Sequence, residues 1–581
     1  MLTSHYTMFA RVAFKASPRL STPFRFAVSF HTTRTMAADT RHKAGATSEP
    51  EHFMFTEGGT DSVWSHGDPY DRRPSYSKLI EDLRADVAIV GAGIVGISTA
   101  YELVKRRKSV VMLEAREVLS GETDRTSGHL SSALDDWYTN IQSKHGHDGA
   151  STAYESHKFA LEHVGEIAKE LKIDCEYRIL PAYEVSAYRP GEDGYEDDVK
   201  SMKDEVGYDK SLGIPLEYHD KLAVPGWKSD IDQRAGILWQ HQATFNPVKY
   251  LLGVMKWLND QPDFAIYTHT RVADTEEKGG IPFLTSKHVD VTTDNGHTVT
   301  CKNVIADMEY NRTYCVALRI PRDSYTDCLV YDTGDPYNYV RFAACDDKDD
   351  YLVIGGADHK VGQTDDESTR FAQVEKWARD RWPQCGALEY QWSGQIYDPH
   401  DYVAFIGLNP GTKRTWIATG DSGNGLTHGV LGARIIADGI TGEINPWQDL
   451  YSPKRVTSLL TSAVDIVKDN PQDNMHFKRW AQTDIKDIED LGRGEGGVLN
   501  KMGKKPWAVY KDEDGQVRTL SAICPHMKGI VCWNHAEKSW DCPVHGSRFS
   551  TDGVCVTGPA KSNLNPECDS SRRAQEVAAG G

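Results

Sequence analysis

The sequence predicts a large mixed α/β unit followed by a small all-β unit. Three observations predict it. A short apolar strand runs into a glycine-rich turn and a helix over 86–106, and strand and helix patterns recur as far as about 450. Near 492 the texture changes to brief β-like runs between Gly, Pro and Asp turns. With 581 residues, 39% of them hydrophobic, the chain can bury more than one core. A formal net charge of -18 excludes a nucleic-acid partner, which needs a surplus of Lys and Arg, and reads as solvated acidic surface. No run reaches the roughly 18–20 apolar residues that cross a bilayer. The 11 cysteines are scattered, unlike a secreted disulfide scaffold, so a reducing compartment is expected.

Residues 1–38 carry Arg11, Lys15, Arg19, Arg25 and Arg34 with no Asp or Glu, the composition of a mitochondrial matrix presequence. The alternative is translation from Met36 and a cytoplasmic protein. Residues 39–84 are polar and Gly/Pro-interrupted, and read as an N-terminal linker. The main unit, 85–450, opens with the buried strand Asp86-Val-Ala-Ile-Val-Gly91, then a helix over 94–106 and a second strand, Ser109 to Glu114. Tyr351-Leu-Val-Ile-Gly355 reads as a later strand. The charged stretch 451–491, interrupted by Pro453 and Pro471, reads as a connector. The all-β unit is expected over 492–570, with a tail at 571–581.

Gly91-Ala-Gly93-Ile-Val-Gly96 ends a strand and opens a helix. Gly91 permits the tight turn, Gly93 lets the backbone approach a pyrophosphate, and Gly96 lets helix and strand pack closely. Glu114, eighteen residues past Gly96, ends the next strand and can accept from ribose hydroxyls. Together these predict a Rossmann-type dinucleotide-binding domain.

A second constellation is Cys524-Pro-His526 and, after fifteen residues, Cys542-Pro-Val-His545. Each loop offers one sulfur and one nitrogen. Two thiolates on one iron and two imidazoles on the other is the ligation of a [2Fe-2S] cluster of Rieske type. A single Cys2His2 zinc is the alternative, although its usual spacing pairs cysteine with cysteine and histidine with histidine.

The segment Glu114-Ala-Arg116 through Arg125-Thr126-Ser127-Gly128-His129, and the later Gly420-Asp-Ser-Gly423-Asn-Gly425-Leu-Thr427-His428-Gly429, resemble the D-amino-acid oxidase and sarcosine oxidase superfamily over about 85–450. The resemblance implies FAD and an α+β substrate domain interleaved with the nucleotide-binding one. Arg125, Thr126 and Ser127 would lie along the ribityl and phosphate region. Gly420, Gly423, Gly425 and Thr427 would lead into a helix facing the flavin pyrimidine ring. Some relatives attach FAD covalently through a histidine, and here Arg125 stands at that position, so non-covalent FAD is expected. His129 reads as a hydrogen-bonded structural histidine.

The stretch from Trp507-Ala-Val-Tyr510 through Gly-Ser547-Arg-Phe549 resembles Rieske domains fused to such flavoproteins. Many Rieske domains add a disulfide between the two loops; Gly529 and Val544 stand at those positions. Ser547 stands where a hydroxyl bonds cluster sulfur, and Phe549 replaces a tyrosine donor. The expected potential is in the lower or middle part of the roughly -150 to +300 mV Rieske range.

A hydride acceptor joined to a one-electron carrier implies a dehydrogenase. It would act on a small substrate and pass electrons singly to an external acceptor. The resemblance implies a C–N bond in an amine or amino acid. It also brings Tyr339 and Arg341 near the substrate, Arg341 as a carboxylate fork, against the ordinary reading of a strand Arg in an ion pair. Alternatives are an electron-transfer flavo-iron-sulfur protein without its own substrate, a non-catalytic binding protein, and a Rieske oxygenase component. The oxygenase needs a mononuclear iron domain after the cluster, where 36 residues remain. Finally, 306–311 joins two strands where the resemblance predicts a longer piece, with a strand returning to the nucleotide-binding sheet.

Overall fold

The computed structural model describes residues 45–228, 234–279, 287–308, 311–361, 366–455, 477–501 and 504–566. The expected presequence and tail, and most of the connector, lie outside them. Val87–Val90 sits inside a six-stranded sheet of order Phe405–Leu408, Thr415–Thr419, Asn303–Met308, Val87–Val90, Val110–Leu113, Phe264–Tyr267. Every neighbouring pair is parallel except the first. The adjacent strands Val87–Val90 and Val110–Leu113, all Val, Ala, Ile, Leu and Met, are continuous apolar runs because helices cover such a sheet. The helices Ile94–Lys105 and Gly425–Thr441 lie against each other, and a Cβ at Gly429 would stand 2.7 Å from Ile94 Cγ2. Glycine there permits the close approach.

The strand returning to this sheet is present after all. Asn303–Met308 lies between Val87–Val90 and Thr415–Thr419, so only the connection to the next strand, Asn311–Pro321, is short. That strand enters a nine-stranded sheet of mostly antiparallel order, running from Leu388–Ile396 through Asp349–Lys360 and Tyr339–Ala344 to His129–Leu130. Its strands come from between those of the first sheet, as an interleaved substrate domain requires.

The C-terminal unit is two antiparallel sheets, Glu495–Leu499 with Trp507–Lys511 and Val517–Ser521, and Cys532–Asn534 with Ser539–Asp541, Arg548–Phe549 and Cys555–Thr557. It begins before 492. Asp484 N donates to Val498 O at 2.8 Å, and Ile485 and Leu491 pack with Leu499 and Val509.

The expected linker is not a loose one. Trp64 is only 1% exposed, and Thr56, Thr60 and Ser62 are fully buried. Gly59 N donates to Glu537 O at 2.8 Å, and a Cβ on Gly58 would overlap the Glu537 carboxylate. Paired glycines let this segment thread between the two units. Its polar backbone groups find partners across the junction, so burial leaves them satisfied.

Candidate active site and cluster loops

The strand-turn-helix at 87–105 opens one wall of a cavity of about 330 Å³. Gly91 holds φ at +98°, and a Cβ at Gly96 would overlap the Gly91 carbonyl oxygen, so both glycines are sterically required. We therefore expect Gly96→Ala, which forces a clash costing about 1–3 kcal/mol, to purify with severalfold less FAD per chain, read from the absorbance ratio. Gly91, Gly93, Gly96 and Glu114 all line this cavity. Glu114 accepts from Ala92 N and Arg116 N, each at 2.9 Å, which fixes the carboxylate at the strand end.

Thr126, Ser127, Gly420, Gly423, Gly425 and Thr427 line the same cavity. The last two begin the helix Gly425–Thr441, whose first-turn N–H groups and dipole face an acceptor placed there. A buried Ser120 hydroxyl on the cavity wall has no hydrogen-bond partner among the described residues. Glycine cradle, ribose-end carboxylate, helix terminus and spare hydroxyl together fit an FAD.

Arg125 also touches the cavity, but not as a phosphate ligand. Its five N–H donors go to Ser393 O, Thr56 Oγ1, Thr60 O, Thr60 Oγ1 and Glu537 Oε1. No donor remains for a cofactor. It is instead a strut to the C-terminal unit: both Arg125 and Glu537 side chains are 0% exposed, and their ion pair is 2.5 Å long. Arg312 and Asp541 make a second buried pair at 2.7 Å, and Arg548 donates to Glu57 O at 2.9 Å.

Tyr339 lines the cavity, with its hydroxyl 2.7 Å from Thr313 Oγ1. Arg341 does not. It is fully buried and donates to Gly128 O at 2.6 Å and Phe245 O at 2.7 Å, with its guanidinium over the Trp64 ring. The expected carboxylate fork is therefore a structural tie. His129 bonds Ser127 Oγ through one ring nitrogen and Val340 O through the other, and burial pushes its pKa down to about 3, so it is neutral.

Sequence reasoning missed several wall residues: Asp135, Tyr331, Tyr337, Asp358 and Gln395, and the C-terminal residues Val556, Thr557 and Gly558. Only Gly355-Gly356 hinted at the place, since a Cβ on Gly355 would overlap the Tyr339 ring. Glu57 and Glu122 form a buried carboxyl pair on the wall. Burial and the Glu57 charge raise Glu122 well above the usual range. Burial would raise Glu57 too, but the hydrogen bond from Glu122 and the charges of Arg548 and Arg116 bring it below. Glu122 therefore holds the shared proton.

In the C-terminal unit the two loops bring Cys524, His526, Cys542 and His545 together. The two imidazoles stand 4.8 Å apart between centroids, and both cysteines are buried. A hydrogen bond from Cys542 lowers the Cys524 thiol to about 7 and raises Cys542, so the sulfurs are adjacent. Among the described residues no three His, Cys, Asp or Glu side chains converge for a single ion. A Rieske centre asks for two ligands at each iron, the cysteine pair at one and the histidine pair at the other, and these loops offer both pairs. A Cβ at Gly529 would overlap Val544 Cγ2, so the two disulfide-equivalent positions do meet, without sulfur.

The Ser547 hydroxyl bonds Cys524 and accepts from Ala560 N at 3.0 Å, whereas the buried Phe549 offers no donor. Removing one hydrogen bond of about 1 kcal/mol shifts a one-electron couple by roughly 40 mV. Ser547→Ala should thus lower the cluster potential by about that amount in a redox titration.

Comparison with known proteins agrees with this geometry. The family model for FAD dependent oxidoreductases matches 86–439, and that for the Rieske [2Fe-2S] domain matches 482–567. YhfW of Bacillus subtilis, described as a Rieske 2Fe-2S iron-sulfur protein, is 28% identical over 84% of this chain and 94% of its own length. The oxidoreductase OrdL of Haemophilus influenzae is 23% identical over 63% of this chain and 85% of its own. Glycine oxidase from Geobacillus kaustophilus superposes with a TM-score of 0.53 at 16% identity, covering 64% of this chain and 99% of that one, a likeness of fold. With its cavity built for FAD and its paired Cys/His loops, the chain belongs to the FAD dependent oxidoreductase family and carries a C-terminal Rieske [2Fe-2S] domain.

Proposed function

We propose that this protein is a dehydrogenase that oxidises the C–N bond of a small amine or amino-acid-like substrate and passes the electrons singly to an external acceptor. When bound, FAD accepts a hydride equivalent and the [2Fe-2S] cluster carries one electron at a time. The observation that carries the reading is the junction between the units. Val556, Thr557 and Gly558 line the FAD cavity, and Gln395, also on its wall, donates through Nε2 to Gly546 O at 3.1 Å, next to His545. Gln395 thus bridges the cavity and a cluster loop.

The remaining chemistry falls to this chain's own residues. Tyr337 and Tyr339 orient the substrate, the Gly425–Thr441 helix terminus stabilises negative charge, and the Glu57–Glu122 pair stores a proton at the junction. Loss of a hydride equivalent from the carbon beside nitrogen leaves an iminium ion, which water hydrolyses to a carbonyl compound and an amine. Both His129 ring nitrogens are already engaged, which supports non-covalent FAD. The amino-acid chemistry named for structural neighbours such as glycine oxidase supports the substrate class.

The test is anaerobic mixing of holoprotein with amines, N-methyl amino acids and NAD(P)H, following flavin absorbance and the electron paramagnetic resonance of the reduced cluster. Flavin bleaching by a C–N substrate, followed by the cluster signal, is expected. Reduction by NAD(P)H alone would sink the reading and leave an electron-transfer protein.

A further inference from the structure

We infer that the substrate is a cationic amine without a carboxylate, held through its ammonium group by Asp135 and Asp358. This rests on the proposed C–N oxidation and narrows it. The end of the cavity made by the nine-stranded sheet presents Tyr331, Tyr339, Thr313 and Asp358, and Asp135 and Tyr337 join them from loops. Tyr337 donates to Asp135 Oδ2 at 2.5 Å, leaving that carboxylate negative capacity on its other oxygen.

No cation among the described wall residues balances these acids. Arg116 donates to Phe53 O and lies 3.8 Å from Glu57, and Arg125 has spent all its donors. Arg341 is tied to carbonyl oxygens outside the wall. Arg370, close enough to act on Asp358, is bonded to Asp366 and to the Ala357 and Asp358 carbonyls. His129 and His428 are held neutral by burial.

A second, independent observation points to a ligand. Tyr331 is 8% exposed and lines the cavity; Ser131 lies near its hydroxyl, but among the described residues no group is placed to satisfy it with a well-formed hydrogen bond. Asp358 Oδ1 is likewise unpartnered there. Buried polar atoms are almost always bonded, so these two await a partner. Asp358, half-buried and facing other carboxylates, has its pKa raised to about 7, the state of an acid lacking a counter-ion, and Asp135 stands beside it as a second, exposed carboxylate. An ammonium ion would supply that charge, donate to Asp358 Oδ1 and Tyr331 Oη, and rest against tyrosine faces. A carboxylate would meet like charge with no guanidinium to bind it.

The experiment titrates oxidised holoenzyme with simple primary, secondary and diamines, and in parallel with glycine, N-methylglycine and acetate. Perturbation of the flavin absorbance gives each dissociation constant. Amines without a carboxylate should bind and the carboxylates should not. Asp358→Asn should weaken amine binding about tenfold to a hundredfold, the loss of a charge-assisted hydrogen bond, at unchanged FAD content. Tyr331→Phe is a milder probe for the case in which Asp358→Asn does not fold, and should weaken binding less. Carboxylates perturbing or bleaching the flavin while amines stay silent would overturn this inference and leave C–N oxidation standing. Bleaching by NAD(P)H alone would overturn both.

Discussion

Glu537→Ala should destabilise the protein by about 3–5 kcal/mol, the cost of stranding a buried charge, seen as a lower denaturation midpoint. Glu537 accepts from Arg125 Nη2, from Thr60 N and Oγ1, and from Ser393 N and Oγ. Its loss leaves a fully buried guanidinium hydrogen-bonded to no carboxylate, in a junction closed to water. Glu537→Gln keeps the shape and should cost less. Acid should act on the same joint. Burial alone would raise the Glu537 carboxyl, but Arg125, Arg548 and Arg312 hold it at about 2, against an ordinary 4.5. Its contribution is therefore complete above 4.5 and is lost as pH falls through 2. Limited proteolysis between those values should increasingly separate the two units.

Cys542→Ser should abolish the cluster and spare the flavin. One of only two thiolates is removed from a buried site, a larger insult than the roughly 10–100-fold losses that follow changes around metal ligands. Iron and acid-labile sulfide should be absent from the purified protein. On the proposed route, substrate should still bleach the flavin while reduction of one-electron acceptors falls by at least that factor. Unchanged acceptor reduction would mean that electrons leave from the flavin directly.

The parts legible in the sequence are those whose physics is local. Gly91, Gly93 and Gly96 are fixed by one turn and one helix, and Cys524, His526, Cys542 and His545 by two loops, so spacing alone reveals them. Arg341 was not legible. Side chains two apart on a strand share a face but stand roughly 7 Å apart along it. Tyr339 reaches the cavity, whereas Arg341 fills the space that Gly128, without a side chain, leaves beside Trp64. Residues 45–84 look like a linker because Gly and polar residues dominate. Their burial depends on partners such as Glu537, hundreds of positions away. Asp135, Asp358 and Gln395 sit in no motif, and only the meeting of distant strands gives them a common purpose.

The two imidazoles of the cluster loops face different surroundings. Beside His545, Gly546 O is tied to the Gln395 side chain, whereas His526 is exposed and its neighbour Met527 is 53% exposed. On the proposed route the molecule is a conductor with separate terminals. A redox partner can dock at the outer one while substrate still fills the inner one. Turnover then needs no exchange of places between the two reactants, and neither should compete with the other in steady-state kinetics.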